Sequence, residues 1–314
     1  MSKTYEIIPL DTLFFRGSTP MEAGQYNTVS VFPPPVSVIK GAFWSAHCLH
    51  EKKSFSEGLR EGGVIPFDVT GIFIKKSFGE DYKIYVSAPA TWYCDSGEKA
   101  EKGSDFKGKT LCVAEEEPLL DRFSARSSAG KVVFAEPKED AKPLAGAWIS
   151  LDFVRAPRRH FSERDILLTK DIYSLENRTG VGLTPDKRAV DGQLYTSSHL
   201  RFHDGVSIVV TFENEPEFNF TKLFLGGERR IAQCRKCDDF ELPEIDGGKW
   251  LSLVPVEATA ENLASLVASS KIVTTAGWDM AKGFHKPSVS WIPAGAVFIR
   301  KINSSCISLT ETII

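Results

Sequence analysis

Lys3-Thr4-Tyr5-Glu6-Ile7-Ile8-Pro9-Leu10-Asp11-Thr12-Leu13-Phe14-Phe15 alternates polar with apolar residues and ends on an apolar triplet, which predicts a first strand. Arg16-Gly17-Ser18-Thr19-Pro20 then breaks it. Pro33-Pro34-Pro35 forbids regular structure and sets up a helix start. Ser37 is the expected cap, and Val38, Ile39, Ala42, Phe43, Ala46 and Leu49 keep helical spacing to about His50. Residues 67–75 and 82–90 read as two strands joined at Ser77-Phe78-Gly79-Glu80-Asp81. The order β-α-β-β is three-quarters of a ferredoxin-like unit.

Further along, residues 95–145 are rich in Lys, Glu, Gly and Ser, and predict an insertion, an extended hairpin or a mobile arm. Its lysines Lys99, Lys102, Lys107 and Lys109 are the expected first sites of limited proteolysis. Strand patterning resumes at Trp148–Val154. Residues 192–202 and 206–213 flank His203-Asp204-Gly205 and read as another hairpin. Strands follow near 229–234, 250–256, 271–275 and 295–302, with a helix at Thr259–Ala268 capped by Thr259. A second α+β unit in the C-terminal half is the expected result.

The 314 residues carry 38 basic and 41 acidic side chains, a formal charge of −3, with 42% hydrophobic residues. This is ordinary globular usage and excludes a disordered or collagen-like chain. It also excludes a uniformly basic nucleic-acid binder, so any polyanion site must be a local patch. The N-terminus lacks the apolar core of a signal peptide, and no run approaches the roughly 18 apolar residues of a membrane helix. The six cysteines are scattered, which predicts free thiols and a cytoplasmic location.

Gly103-Ser104-Asp105-Phe106-Lys107-Gly108-Lys109-Thr110 spells a nucleotide P-loop. A phosphate cradle must leave a buried strand and enter a helix, whereas a charged run precedes this one and a short strand-like stretch follows. Cys234-Arg235-Lys236-Cys237 is a C-x-x-C without a second pair, so free thiols are expected rather than zinc. His47 and His50 lack a third metal ligand, and nothing pairs a nucleophile with a base. Neither a metal nor a cofactor is expected. Three clusters place glycines beside cations: Glu176–Leu183 with Asp186-Lys187-Arg188, Leu225–Arg230, and Lys282-Gly283-Phe284-His285-Lys286-Pro287. Glycine lets backbone N–H groups approach a phosphate, and arginine adds bidentate charge and a stacking plane.

The blocks Pro9–Arg16, Phe32-Pro33-Pro34-Pro35 leading into Lys40-Gly41-Ala42, Glu176-Asn177-Arg178-Thr179-Gly180-Val181-Gly182-Leu183, Leu225-Gly226-Gly227-Glu228-Arg229-Arg230, Gly277-Trp278-Asp279 and Pro293-Ala294-Gly295 occur in this order. So ordered, they resemble the third-subunit family of the type III-B CRISPR Cmr effector complex, within the RAMP superfamily. The resemblance runs almost end to end, outside the insertion. It implies an α+β fold of two ferredoxin-like (RRM-like) units, at 1–175 with the insertion at 95–145, and at 176–314 with a glycine-rich loop at Gly226-Gly227. It implies a non-catalytic subunit in antiviral defence. Such a subunit grips the 5′ handle of the guide RNA (crRNA) beside the backbone RAMP subunit and docks on the large palm-domain subunit.

The RNA-facing residues expected on this basis are Arg16, Lys40, Asn177, Arg178, Thr179, Gly180, Gly182, Lys187, Arg188, Gly226, Gly227, Arg229, Arg230, Lys282 and Lys286. Lys40, one turn into the first helix, is expected on the same face as the arginines. The competing reading is a RAMP-type guide-RNA-processing endoribonuclease, with His199, His203 or His285 as acid or base.

Overall fold

The computed structural model describes residues 3–17, 28–95, 100–118, 131–134, 141–243, 248–275, 278–279, 284–285, 287–310 and 313. The chain begins β1 (Lys3–Pro9), β2 (Thr28–Val29), α1 (Val36–His50), β3 (Asp68–Phe78), β4 (Asp81–Ser87). It continues β5 (Trp92–Asp95), β6 (Leu111–Val113), β7 (Glu115–Pro118), β8 (Lys131–Phe134), β9 (Ala141–Pro143), β10 (Trp148–Ser150), α2 (Leu151–Arg155), β11 (Ile166–Leu167), α3 (Thr169–Ile172). Then come β12 (Tyr173–Leu183), β13 (Ala189–Phe202), β14 (Val206–Glu213), β15 (Lys222–Phe224), β16 (Ile231–Cys237) and β17 (Lys249–Ser252), followed by α4 (Ala260–Ala264) and short strands to Cys306–Leu309. The fold is mixed α+β, mostly antiparallel sheet with few helices.

The main sheet has eight strands in the order β11-β10-β4-β3-β14-β1-β16-β15, and every pairing in it is antiparallel. β3 and β4 form the expected hairpin, turning at Gly79 with φ +73°. β1, however, lies between β14 and β16 rather than beside β4. Its neighbours therefore come from beyond residue 200, and the sheet draws strands from both sides of the 175/176 boundary.

The expected hairpin around His203-Asp204-Gly205 is not a pairing. The turn is there, with Gly205 at φ +74°, but β13 pairs with β12 and β2 while β14 pairs with β3 and β1. The composition of β14 explains this. Val206–Phe212 is buried at every position, so β14 needs a sheet with both faces covered.

α1 starts on Pro35, without a side-chain cap, and Ser37 falls inside its first turn. The strand expected over Trp148–Val154 ends at Ser150, whose Oγ accepts from the Phe153 N–H at 3.4 Å and starts α2. Thr259 caps α4 as expected, accepting from Asn262 N–H at 3.2 Å, but that helix ends at Ala264.

Each face of the sheet buries its own core. Under α1 lie Tyr5, Ile7, Phe43, Phe67, Phe212 and Phe218, with Tyr5 and Phe43 edge to face at 5.6 Å. The opposite face buries Phe73, Val86, Trp92, Phe106, Phe153 and Ile307. Phe106, Leu111 and Leu144 belong to this second core, and β5, β6 and β9 form a three-stranded sheet over it. Within 95–145, β7 and β8 pair antiparallel, as an extended hairpin would, and the stretch around Phe106 and Leu111 packs into the second core. A few well-spaced apolar residues suffice where a neighbouring core receives them. Residues 119–130 lie outside the described residues.

Candidate nucleic-acid interface

One cluster forms where β1 ends. Asp11 follows β1, Arg230 precedes β16, and Glu176, Arg178, His199 and Arg201 stand on one face of the β12–β13 ribbon. Antiparallel register puts Glu176 opposite His199 and Arg178 opposite Ser197, which brings this face together. Arg230 Nη1 meets Asp11 Oδ2 at 2.8 Å, while Arg201 and Arg178 reach Asp11 Oδ1 at 3.5 and 3.7 Å. Arg178 donates from Nε and Nη2 to Glu176 Oε1 at 3.0 and 2.9 Å, and Arg201 donates to Glu176 Oε2. Arg230 also pairs with Glu228. Three guanidiniums thus meet three carboxylates. The Thr12 backbone N–H, with Arg178, Arg230 and Arg201, holds the Asp11 carboxyl below the usual aspartate range. Hydrogen bonds from Arg201 and Arg178 do the same for Glu176.

The glycine loop locks onto the segment that follows β1. Gly227 N–H donates to Phe14 O at 2.8 Å. Gly226 sits at φ +79°, and a Cβ there would come within 2.4 Å of Phe14 O, so only glycine fits. Glu228 and Arg229 follow at φ +57° and +52°, two consecutive left-handed non-glycine residues. Such conformations cost about 1–3 kcal/mol each and persist only where the surroundings enforce them. They turn Glu228 toward Arg230 and His199 and leave Arg229 exposed.

His199 is fully buried and stacks on Phe14 at 4.9 Å and 26°. Its Nδ1 lies 3.4 Å from Thr12 Oγ1, its Nε2 3.1 Å from Ser197 Oγ and 3.6 Å from Glu228. Burial pushes its pKa down from 6.5, against the pull of Glu228. An imidazole with no exposed surface cannot reach a scissile phosphate, so it supports the loop. His203 is exposed, with Nε2 3.1 Å from Lys170 O.

The expected site residues separate into groups. Arg178, Arg230, Gly226, Gly227 and Arg229 come together, and Arg16 stands exposed two residues beyond the Phe14–Gly227 contact. Among the described residues, neither Arg229 nor Arg16 has an acidic partner. Asn177 and Thr179 alternate onto the other face of β12, where Asn177 Oδ1 accepts from Ser198 Oγ at 2.6 Å. Gly180 and Gly182 lie under Tyr195 and Gln193. Lys187 and Arg188 sit at the ribbon tip, beyond Leu183, which is itself five residues or about 17 Å along β12 from Arg178. Lys40 pairs with Asp68 at 2.9 Å. Asp68 lies opposite Glu213, by the Lys3 end of β1, whereas Asp11 follows the other end of that strand. Lys282 and Lys286 lie outside the described residues.

The family model for CRISPR-associated proteins named Cas_Cmr3 matches residues 5–247. The chain belongs to the Cas_Cmr3 family. That span holds every residue of the Asp11 cluster and the glycine loop. No curated protein matches the sequence. Two solved structures share the fold. One chain from the cryo-EM structure of the Type III-B Cmr-beta bound to cognate target RNA and AMPPnP has a TM-score of 0.59 at 16% identity, covering 94% of this chain and 86% of that one. A second, from the Type III-B Cmr-beta bound to cognate target RNA, has a TM-score of 0.57 at 17% identity, with the same coverage.

Other motifs in this Cas_Cmr3 chain resolve into structure. In the P-loop look-alike, Gly103–Phe106 is one 3-10 turn and Leu111 opens β6, so no helix follows. Asp171 accepts Gly103 N–H at 2.7 Å and Asp105 accepts the N–H groups of Glu101 and Lys102, so carboxylates stand where phosphates would. Cys234 and Cys237 are three apart on β16 and face opposite cores. Burial raises their thiols to about 12 and about 11. Among the described residues, no group of three His, Cys, Asp or Glu side chains could hold a metal ion, and no helix is long and apolar enough to cross a membrane. Sequence reasoning missed Arg201 and the bridging role of Asp11. Their signal was the acid that each arginine block carries: Asp11, Glu176 and Glu228.

Proposed function

We propose that this chain is a non-catalytic RNA-binding subunit of a type III-B CRISPR effector complex. In this reading it grips the 5′ handle of the guide RNA and docks on the large palm-domain subunit beside the backbone RAMP subunit. Family membership supports the setting. The observation that carries the RNA contact is the Asp11 cluster with its glycine loop: arginines oriented by fixed carboxylates, with Arg229 and Arg16 exposed beside them. Pre-oriented guanidiniums suit phosphate and base stacking. Asn177, Thr179, Gly180 and Gly182 line the same ribbon, and Lys187 and Arg188 extend contact to its tip. We read β1, α1, β3, β14 and β16 as a ferredoxin-like unit. Its support is the strand order β3-β14-β1-β16; it departs from the full unit in having β15, not a second helix, between β14 and β16.

Two measurements test this. The tagged chain, purified from its own cells, should bring down small RNAs sharing one 5′ sequence together with a large palm-domain protein. The purified chain should leave repeat RNA intact. Cleavage lost in His203→Ala would favour the endoribonuclease. Recovery of neither RNA nor protein partner would end the proposal.

A further inference from the structure

The sheet face opposite α1 is covered only in part. Beneath β3, β4 and β14 it is sealed by the second core. At the other edge it is open among the described residues. Phe224 on β15 pairs across to Ile231 on β16, and Leu10 N–H donates to Ile231 O at 3.3 Å. These three side chains therefore stand in one row on one face. They are 50%, 43% and 56% exposed, although the residues between them along the strands, Leu223 and Ala232, are buried on the α1 side. The next row holds Lys222 opposite Gln233. Arg229 lies over the Phe224 ring at 6.0 Å, delivered there by the strained left-handed pair Glu228 and Arg229.

We infer that Phe224, with Arg229 above it and Leu10 and Ile231 beside it, is a seat for one unstacked nucleobase of single-stranded RNA. The inference rests on the RNA-binding reading above and adds to it a base contact on the open sheet face. Three features favour RNA over a protein partner. The apolar row is one ring wide and three residues long, far short of the roughly 800 Å² a side of a stable protein interface. Of the charges that flank it, Asp11 and Glu228 are paired with Arg230, whereas Lys222 and Arg229 have no acidic partner among the described residues. It is also continuous with the glycine loop, since Leu225 N–H donates to Arg230 O at 2.8 Å between them. An aromatic ring with a guanidinium 6.0 Å over it offers a base an apolar stacking partner and its phosphate a charge. Stacking of this kind is sequence-tolerant, so the seat adds affinity and fixes the path of the strand.

The test uses the full chain and a short fluorescein-labelled single-stranded RNA, alongside an abasic oligonucleotide of the same length. Phe224→Ala should weaken the RNA roughly 5- to 150-fold and leave the abasic oligonucleotide unchanged. Phe224→Trp should restore RNA affinity. Phe224 is half exposed, so the melting temperature of both variants should match wild type; if Phe224→Ala melts lower, Phe224→Leu, which keeps bulk without the ring, replaces it. Equal RNA affinity of wild type and Phe224→Ala, with Arg229→Ala still weakened, would overturn the base seat alone. If wild type binds no RNA, the RNA-binding reading fails, and the seat with it. Equal weakening on RNA and abasic strand would mean that Phe224 only positions Arg229, and would also overturn the seat.

Discussion

At the residue scale, the arginines that look alike in sequence do different work. Arg230 is largely buried between Asp11 and Glu228, and its guanidinium is the link between β1 and the loop. Arg230→Ala should destabilise the fold by about 1–3 kcal/mol, because the charged hydrogen bonds that tie Asp11 and Glu228 together through one guanidinium are lost. Arg229 is exposed and pairs with no acid among the described residues. Arg229→Ala should leave the melting temperature unchanged and lower the log–log salt slope of RNA binding by about 0.7 if it meets a phosphate. Thermal melts and a salt titration of both variants check the division; a melting loss confined to Arg229→Ala would reverse it. His199 gives a second residue-scale expectation. Its folded pKa lies below 6.5, so the folded state resists a proton that the unfolded chain accepts. Stability should fall as pH drops through 6.5, and His199→Gln should remove part of that slope in denaturation at pH 5 to 8. His47, also shifted down by burial, accounts for a further part.

At the element scale, local signals were legible and partners were not. The proline run, the 15-residue helix, the β3–β4 turn and the Thr259 cap can all be read from neighbours within four residues. That β14 sits between β1 and β3 depends on covering both of its faces, which local pattern cannot supply. The lysine-rich stretch shows the same limit. Phe106 and Leu111 are sparse in sequence, yet each enters an existing core. The backbone from Lys107 to Leu111 is held by Ser104, Phe106, Phe161 and Arg159 carbonyls. Limited proteolysis should therefore spare Lys102, Lys107 and Lys109 in the native chain, as mass spectrometry of the first fragments will show. The loop that could be read most fully is Leu225–Arg230, because Gly226 has a backbone only glycine adopts. Gly226→Ala should cost about 1–3 kcal/mol and lower RNA affinity with it, measured by melting and by binding below the new midpoint.

At the scale of the whole molecule, sequence order and spatial order part company. The recognisable blocks at Pro9–Arg16, Glu176–Leu183 and Leu225–Arg230 are more than 150 residues apart at their first step, and they meet because β1 pairs with β16 while Leu13, past its end, pairs with Leu200 on β13. The site is thus a consequence of the sheet, and the sheet cannot be cut at 175/176. A fragment of residues 1–175 would keep β1, β3 and β4 but lose both neighbours of β1 and one of β3. Tyr5, Ile7 and Ile72 would be left without Phe212, Val210 and Ile208, which share their core. A fragment of 176–314 would hold β14, buried from Val206 to Phe212 in the native sheet, with neither flanking strand. Neither piece should fold alone, and each should be recovered aggregated, since an unpaired apolar strand is a template for association. Co-expressed, the two should assemble into one soluble particle with a single cooperative melt, because the cut lies in the exposed ribbon β12 rather than in the core. Circular dichroism and size-exclusion chromatography of each piece, and of the pair, decide it. Two independently folded halves would show that the main sheet forms late from preformed domains, and the Asp11 cluster would then be an interface between them.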